Sequence, residues 1–302
     1  LACALRILVL GSAAGGGFPQ WNCRCPVCDL AWKGDKRATP RSQSSLAVSA
    51  DGERWLLLNA SPDLRHQILS SPSLHPRGAF RQSPIRAVVV TNADVDHLAG
   101  LLTLREQQAF TLFGSRATLA QAEAGIFGVL NKELVQKQPF ELDEPFGTGL
   151  GLTVTPFAVP GKVALYLEGE TVEIGAENES TAGLEISDGA KSFFYIPGCA
   201  EIRDSLLKRL AGAPLLFFDG TTYTDDEMVS LGLSQKTAWR MGHVAMSGEN
   251  GSLKRLASCG IARRIYVHIN NTNPVLIADS PQRAAVTRAG WEIAYDGMEV
   301  SL

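Results

Sequence analysis

The chain contains no apolar run approaching the roughly 18 residues of a membrane-spanning helix, so no membrane partner is expected. It has no long basic run, and its formal net charge is −3, so the electrostatic footprint of a nucleic-acid-binding surface is missing too. No low-complexity segment and no clear linker interrupts the 302 residues, which predicts one domain over 1–302 rather than separable modules. The glycine-rich stretch 11–17 lacks both the Walker lysine and the G-x-G-x-x-G spacing of phosphate-binding loops; its glycines are better read as allowing close backbone approach. The N-terminal stretch lacks the charged start of a signal peptide, and Arg6 interrupts its apolar run, so Leu5–Leu10 is read as a first strand. Cysteines number only six, and three of them crowd into positions 23–28. That is metal spacing, not a secreted disulfide framework, and it places the protein in the cytoplasm.

What is there centres on residues 86–106, RAVVVTNADVDHLAGLLTLRE. A β-branched strand pattern through Val90 runs into Thr91, Asn92, Asp94, Asp96 and His97, and an amphipathic helix pattern follows from about Asp96. One aspartate there would serve as a helix cap. A whole cluster of oxygen and nitrogen donors at a strand-to-helix junction points instead to a bound cation.

Other strands also end in chemistry. The hairpin Ser45–Ser49 and Trp55–Asn59, joined through Asp51-Gly52, runs into NASPD and a helix near Asp63. Pro214–Phe218 ends at Asp219, and Arg264–Val267 ends at His268. Helices are expected over about 201–211, 250–258 and 281–289, and through about Gln138 after a strand at Phe110–Phe113. A β-rich block is expected from 139 to 174, with a further hairpin, Leu184–Ser187 and Ser192–Ile196. His243 sits in a glycine-flanked loop and reads either as a proton donor or base or as a loop histidine bonded to backbone. Strands and helices alternate throughout, an α/β pattern; if the strands run the same way, their chemical ends meet at one edge.

Cys23, Cys25 and Cys28 form C-x-C-x2-C, three thiolates on one short loop. Soft sulfur ligands favour a structural zinc(II), with a fourth ligand coming from elsewhere in the chain. Cys3, Cys199 and Cys259 are isolated and read as core residues. Asp96, His97, Asp219 and His268 would supply two imidazoles and two carboxylates to a divalent cation and leave positions open. Such a set suits non-haem iron(II), and also zinc in hydrolysis.

The stretch from Asn92 to Gly100 resembles the H-x-H-x-D-H-x-x-G motif of the metallo-β-lactamase superfamily. Asp96, His97 and Gly100 keep its second half; Asn92 and Asp94 replace both leading histidines. The combination LGSAAGGGFPQWNC, the thiolate loop, QSS, NASPD, MGH and HINNTNP, spread from Leu10 to Pro274, is similar to a family of pyrroloquinoline quinone biosynthesis proteins within that superfamily. The resemblance implies an αβ/βα four-layer sandwich with a zinc-binding loop at about 22–28. It implies a site that has lost its first metal and kept its second, held by Asp96, His97, Asp219 and His268. It also implies iron(II)- and dioxygen-dependent hydroxylation of the tyrosine ring of a Glu-Tyr-derived precursor. His243 matches the place where phosphodiesterase relatives keep a catalytic histidine. Those relatives complete a thiolate zinc site with a histidine three residues beyond the last metal histidine; here that residue is Asn271. Asn92 and Asp94, beside a lone metal, would be free to hydrogen-bond a phenol or bound oxygen. Two other readings stay open, a single-metal hydrolase and a carrier of the quinone or its precursor, and a homodimer is compatible with each.

Overall fold

The computed structural model describes residues 4–302; Cys3 lies outside the described residues. Two seven-stranded sheets carry the chain. The first is built from β1 (Arg6–Gly11), β2 (Ser45–Ser49), β3 (Trp55–Leu58), β4 (Ile85–Val89), β5 (Phe110–Gly114) and β6 (Val135–Pro139). The second is built from β7 (Phe146–Gly147), β8 (Thr153–Ala158), β9 (Ala182–Ser187), β10 (Ser192–Ile196), β11 (Leu216–Asp219), β12 (Arg264–Val267) and β13 (Trp291–Ile293). A last strand, β14 (Glu299–Ser301), returns to pair with β1.

The inner faces of the two sheets meet in one core, in which Val9, Leu58 and Val89 pack with Leu184, Tyr195, Phe217 and Val267. The outer face of each sheet buries a second apolar cluster, Val88 and Leu112 with the first sheet and Phe218, Tyr266 and Trp291 with the second. Strands buried on both faces read as continuous apolar runs, which is why VVV and LLFF are legible as strands. Helix, sheet, sheet and helix layers result, the four-layer αβ/βα sandwich.

Parallel pairing positions the site. The β3–β4 and β4–β5 ladders are parallel, as are those of β10–β11–β12. Asp219 pairs with Val267, so it stands one residue from His268 across the ladder. The halves are sewn together beyond the strand ends, where the Ala182 amide donates to the Thr91 carbonyl at 2.9 Å and the Ala14 amide to the Ile269 carbonyl at 2.8 Å.

Two expectations are corrected. Residues 135–138, expected to be helical, lie in β6, an edge strand whose mostly exposed, polar character suits a sheet margin that needs only one buried face. Residues 163–174, expected to be strands, form a one-turn 3₁₀ helix, Leu165–Leu167, within a loop. Leu165 and Tyr166 are exposed, at 63% and 53%, so no sheet face fixes a strand there. Cys199 is fully buried in the outer core, and Cys259 packs against that core half-buried.

Candidate metal centres

Past β4 the chain turns through Asn92 into the short helix Val95–Leu98. The Asn92 side chain makes that turn. Its Oδ1 accepts from the Asp94 amide at 3.1 Å and lies 2.5 Å from His97 Nδ1, while its Nδ2 donates to Asp94 Oδ2 at 2.8 Å. Gly100 closes the motif for a steric reason: a Cβ there would lie 2.2 Å from the Ser61 carbonyl oxygen. With the amide oxygen of Asn92 as acceptor, His97 carries its proton on Nδ1 and presents a lone pair at Nε2. That nitrogen is buried and has no hydrogen-bond partner. A buried acceptor left without a partner costs free energy; a cation on the lone pair removes the cost.

Asp96 Oδ2 lies 3.0 Å from His268 Nε2 and 3.9 Å from His97 Nε2. Burial opposes ionisation of Asp96, but the neighbouring His97 and the hydrogen bond and charge of His268 outweigh it and hold its carboxyl well below the usual range. Burial pulls the His97 imidazole down, which favours the neutral, ligating form. Burial also acts on His268, but the hydrogen bond and charge of Asp96 raise it. His268 has a left-handed backbone, φ 55°, a strain of the kind that collects at functional sites.

On the second sheet, the fully buried Asp219 accepts at Oδ1 from the amide and the hydroxyl of Thr221, at 3.0 and 2.7 Å. Its Oδ2 accepts from the Cys199 amide at 3.0 Å and lies 2.8 Å from His243 Nδ1. The Thr221 hydroxyl is also 2.9 Å from His268 Nδ1. The His243 ring stacks on His268 with centroids 5.1 Å apart.

Three of the five histidines therefore meet here. Their donor atoms form two groups, Asp96–His97–His268 and Asp219–His243–His268, each with ligand atoms within 4.8 Å of one another. Each group holds two imidazoles and one carboxylate, and they share His268. The sequence expected one set of four with His243 apart; the structure divides the four and draws His243 in beside Asp219. Asn92 and Asp94, expected to hydrogen-bond a phenol or bound oxygen beside the metal, are bonded to each other within the turn. His243 also lines a cleft of about 580 Å³ with Trp239, Glu201 and Arg255.

The thiolate loop lies elsewhere on the second sheet. Cys25 caps the helix Pro26–Trp32, its Sγ accepting from the Cys28 amide. Cys23, Cys25 and Cys28 are all buried and form the third donor group. The hydrogen bond to Cys28, and then burial, push the Cys25 thiol up; the same bond pulls Cys28 down. Asn271, 3% exposed, brings its side-chain amide to 3.2 Å from the sulfurs of Cys23 and Cys28, and its main-chain carbonyl to 3.7 Å from those of Cys25 and Cys28. It is the residue that faces the three sulfurs.

Sequence reasoning missed Thr221, which contacts Asp219, His243 and the shared His268, and the support given by Asn59, whose Oδ1 accepts from the Thr91 amide at 2.9 Å while Thr91 Oγ1 lies 3.3 Å from His97 Nδ1. The signal for Thr221 was present as a hydroxyl two residues past the acid that ends a buried strand.

Residues 54–269 match the family described as a beta-lactamase superfamily domain, and the chain belongs to that superfamily. Solved structures of low identity share the fold, among them a diphosphatase from the PhnP family, 20% identical with a TM-score of 0.70 over 99% of this chain and 97% of that one. Much nearer relatives narrow the placement. Coenzyme PQQ synthesis protein B of Methylorubrum extorquens (strain PA1) is 56% identical over 299 residues, 99% of this chain and all of the relative. That of Xanthomonas campestris pv. campestris (strain B100) is 52% identical over 300 residues, with 99% of this chain and all of the relative covered. The 1.98-angstrom crystal structure of Zn(2+)-bound PqqB from Methylobacterium extorquens superposes with a TM-score of 0.96 at 56% identity, covering 98% of this chain and 100% of that one. The chain belongs to the family of coenzyme PQQ synthesis protein B.

Proposed function

We propose that the protein acts in the biosynthesis of pyrroloquinoline quinone as an iron(II)- and dioxygen-dependent hydroxylase of the tyrosine ring in a Glu-Tyr-derived precursor. The observation that carries this reading is the group Asp96–His97–His268, two imidazoles and one carboxylate around the bare Nε2 of His97. That donor set, with positions left open, suits non-haem iron(II). Iron(II) held there would supply activation of dioxygen. One oxygen atom replaces a ring hydrogen as hydroxyl, and the other leaves as water with two electrons from an external reductant. The chain's own residues do the rest. Asn92 fixes the His97 tautomer and Thr221 orients His268, the supporting role that partners of metal ligands play. His243, its Nδ1 bonded to Asp219, has Nε2 left to take the phenol proton as the ring is oxidised. The three thiolates with Asn271 suit a structural zinc, in keeping with a zinc-bound relative.

The test loads the protein anaerobically with iron(II) or zinc(II), admits dioxygen with a Glu-Tyr-type substrate, and reads the substrate's mass. Gain of one oxygen per step with iron alone, lost in His97→Ala, is expected. No oxidation with either metal, but tight quinone binding by metal-free protein, would replace the hydroxylase with a carrier. Ester hydrolysis without oxidation would replace it with a hydrolase.

A further inference from the structure

Glu168 is met by three cations, Lys162 at 2.9 Å, Arg240 at 3.2 Å and Lys236 at 3.6 Å. No other carboxylate among the described ion pairs has three basic side chains around it. Lys162 and Glu168 are nearly buried, 11% and 10% exposed, while Arg240 and Lys236 stay about one-third open at 32% and 38%. The cluster is thus two positive charges in excess, in a chain whose net charge is −3. Buried lysines are rare unless paired, and one carboxylate does not use up the donors of two lysines and a guanidinium.

Its place in the fold connects it to the site. Residues 161–176 form a strap closed at its base by a bridge between Gly161 and Ala176. The Tyr166 hydroxyl donates to the Ala93 carbonyl at 2.9 Å, tying the strap to the loop that carries Asp96 and His97. The Thr181 hydroxyl donates to the Lys162 carbonyl at 3.2 Å, and Thr181 itself bridges Asn92. On the other side the Lys162 stem packs on Gly242, where a Cβ would lie 3.1 Å from it, and Gly242 precedes His243. The cationic cluster therefore lies between the two loops that deliver the candidate ligands.

We infer that Lys162, Lys236 and Arg240 form a carboxylate-recognition subsite that anchors the acidic end of the substrate, with Glu168 as an internal carboxylate that occupies part of the same donors. The inference rests on the proposed reading of the site only for the identity of the substrate. A guanidinium and two ammonium groups offer charge-assisted hydrogen bonds to a carboxylate and nothing comparable to a neutral amide. Glu168 competes for the same donors, so removing its charge strengthens the dock.

The test titrates zinc-loaded protein, for which no oxidation is expected, with the dipeptides Glu-Tyr and Gln-Tyr by calorimetry. Wild type is expected to prefer Glu-Tyr by about tenfold, the scale of one charge-assisted contact. Arg240→Gln should weaken Glu-Tyr by about tenfold and leave Gln-Tyr within about twofold, while Glu168→Gln should tighten Glu-Tyr several-fold. Equal losses for both dipeptides, or no preference in wild type, would overturn the subsite and leave a strap clamp only. The parent reading fails separately: carboxylate-selective binding with no oxidation by the iron-loaded protein sinks the hydroxylase and keeps the subsite. Undiminished oxidation of Gln-Tyr sinks the subsite and keeps the hydroxylase.

Discussion

The two donor regions differ in almost every physical respect. The thiolate loop gathers three soft sulfurs within six residues of chain, all buried and faced by Asn271. The imidazole–carboxylate region draws harder donors from 96 to 268, from both sheets, and opens at His243 onto a cleft. The first is built by local chain geometry, with one distant residue closing it. The second exists only because two parallel ladders end together. A closed sulfur set is suited to holding an ion for stability, and an open set of mixed donors to chemistry. The two are joined by a short tether, because His268 and Asn271 lie on one loop beyond β12.

The largest effect should come from breaking the closed region. Cys28→Ser is expected to lose one equivalent of metal and to lower Tm by roughly 10 °C, since the binding free energy of a structural ion is folding free energy. Metal analysis and a thermal scan read both. If the tether matters, the cleft metal weakens as well; an unchanged cleft affinity would show that the regions are independent.

Opening the second region should cost activity without comparable loss of fold. His97→Ala is expected to abolish oxidation and to leave the thiolate metal in place, read by metal stoichiometry. Thr221→Val removes the hydroxyl that orients His268 and contacts Asp219, and should lower cleft-metal affinity by roughly 10–100-fold. A larger loss of thiolate metal than of cleft metal in either variant would contradict the division of labour.

The smallest effect concerns neither metal. Arg240, then Lys162, pull the Glu168 carboxyl from its ordinary 4.5 down to about 2. A depressed carboxyl contributes stability that is complete above its unfolded-state value and lost as pH falls through the folded-state value. The stability gap between wild type and Glu168→Gln should be constant above pH 4.5 and close between there and about pH 2, measured by denaturant titration. A gap that instead widens in acid would place another group in charge of the strap.

Much of the fold could be read from local pattern. Strands buried on both faces announce themselves as runs such as VVV and LLFF, and the hairpin over Asp51-Gly52 matches observed β2 and β3. Residues 135–138 and 163–174 misled because neither carries a decisive period: the first takes its conformation from β5 beside it, the second from anchors at Ala93 and Arg240. At the site, the residue types were legible because strand-terminal acids and histidines are conspicuous. Their grouping was not, since Asn92 and Asp94 could equally have faced a ligand as each other.

The sequence by itself determined the strands buried on both faces, the thiolate loop and the chemical identity of the donors, because these depend on neighbours a few residues away. Only the tertiary structure decided that Asp96 meets His268 rather than Asp219, that His243 turns to Asp219, and that Thr221 supports both. Those choices rest on the parallel register of β11 with β12 and on the contact between sheets, which bring together atoms separated by 172 residues of chain.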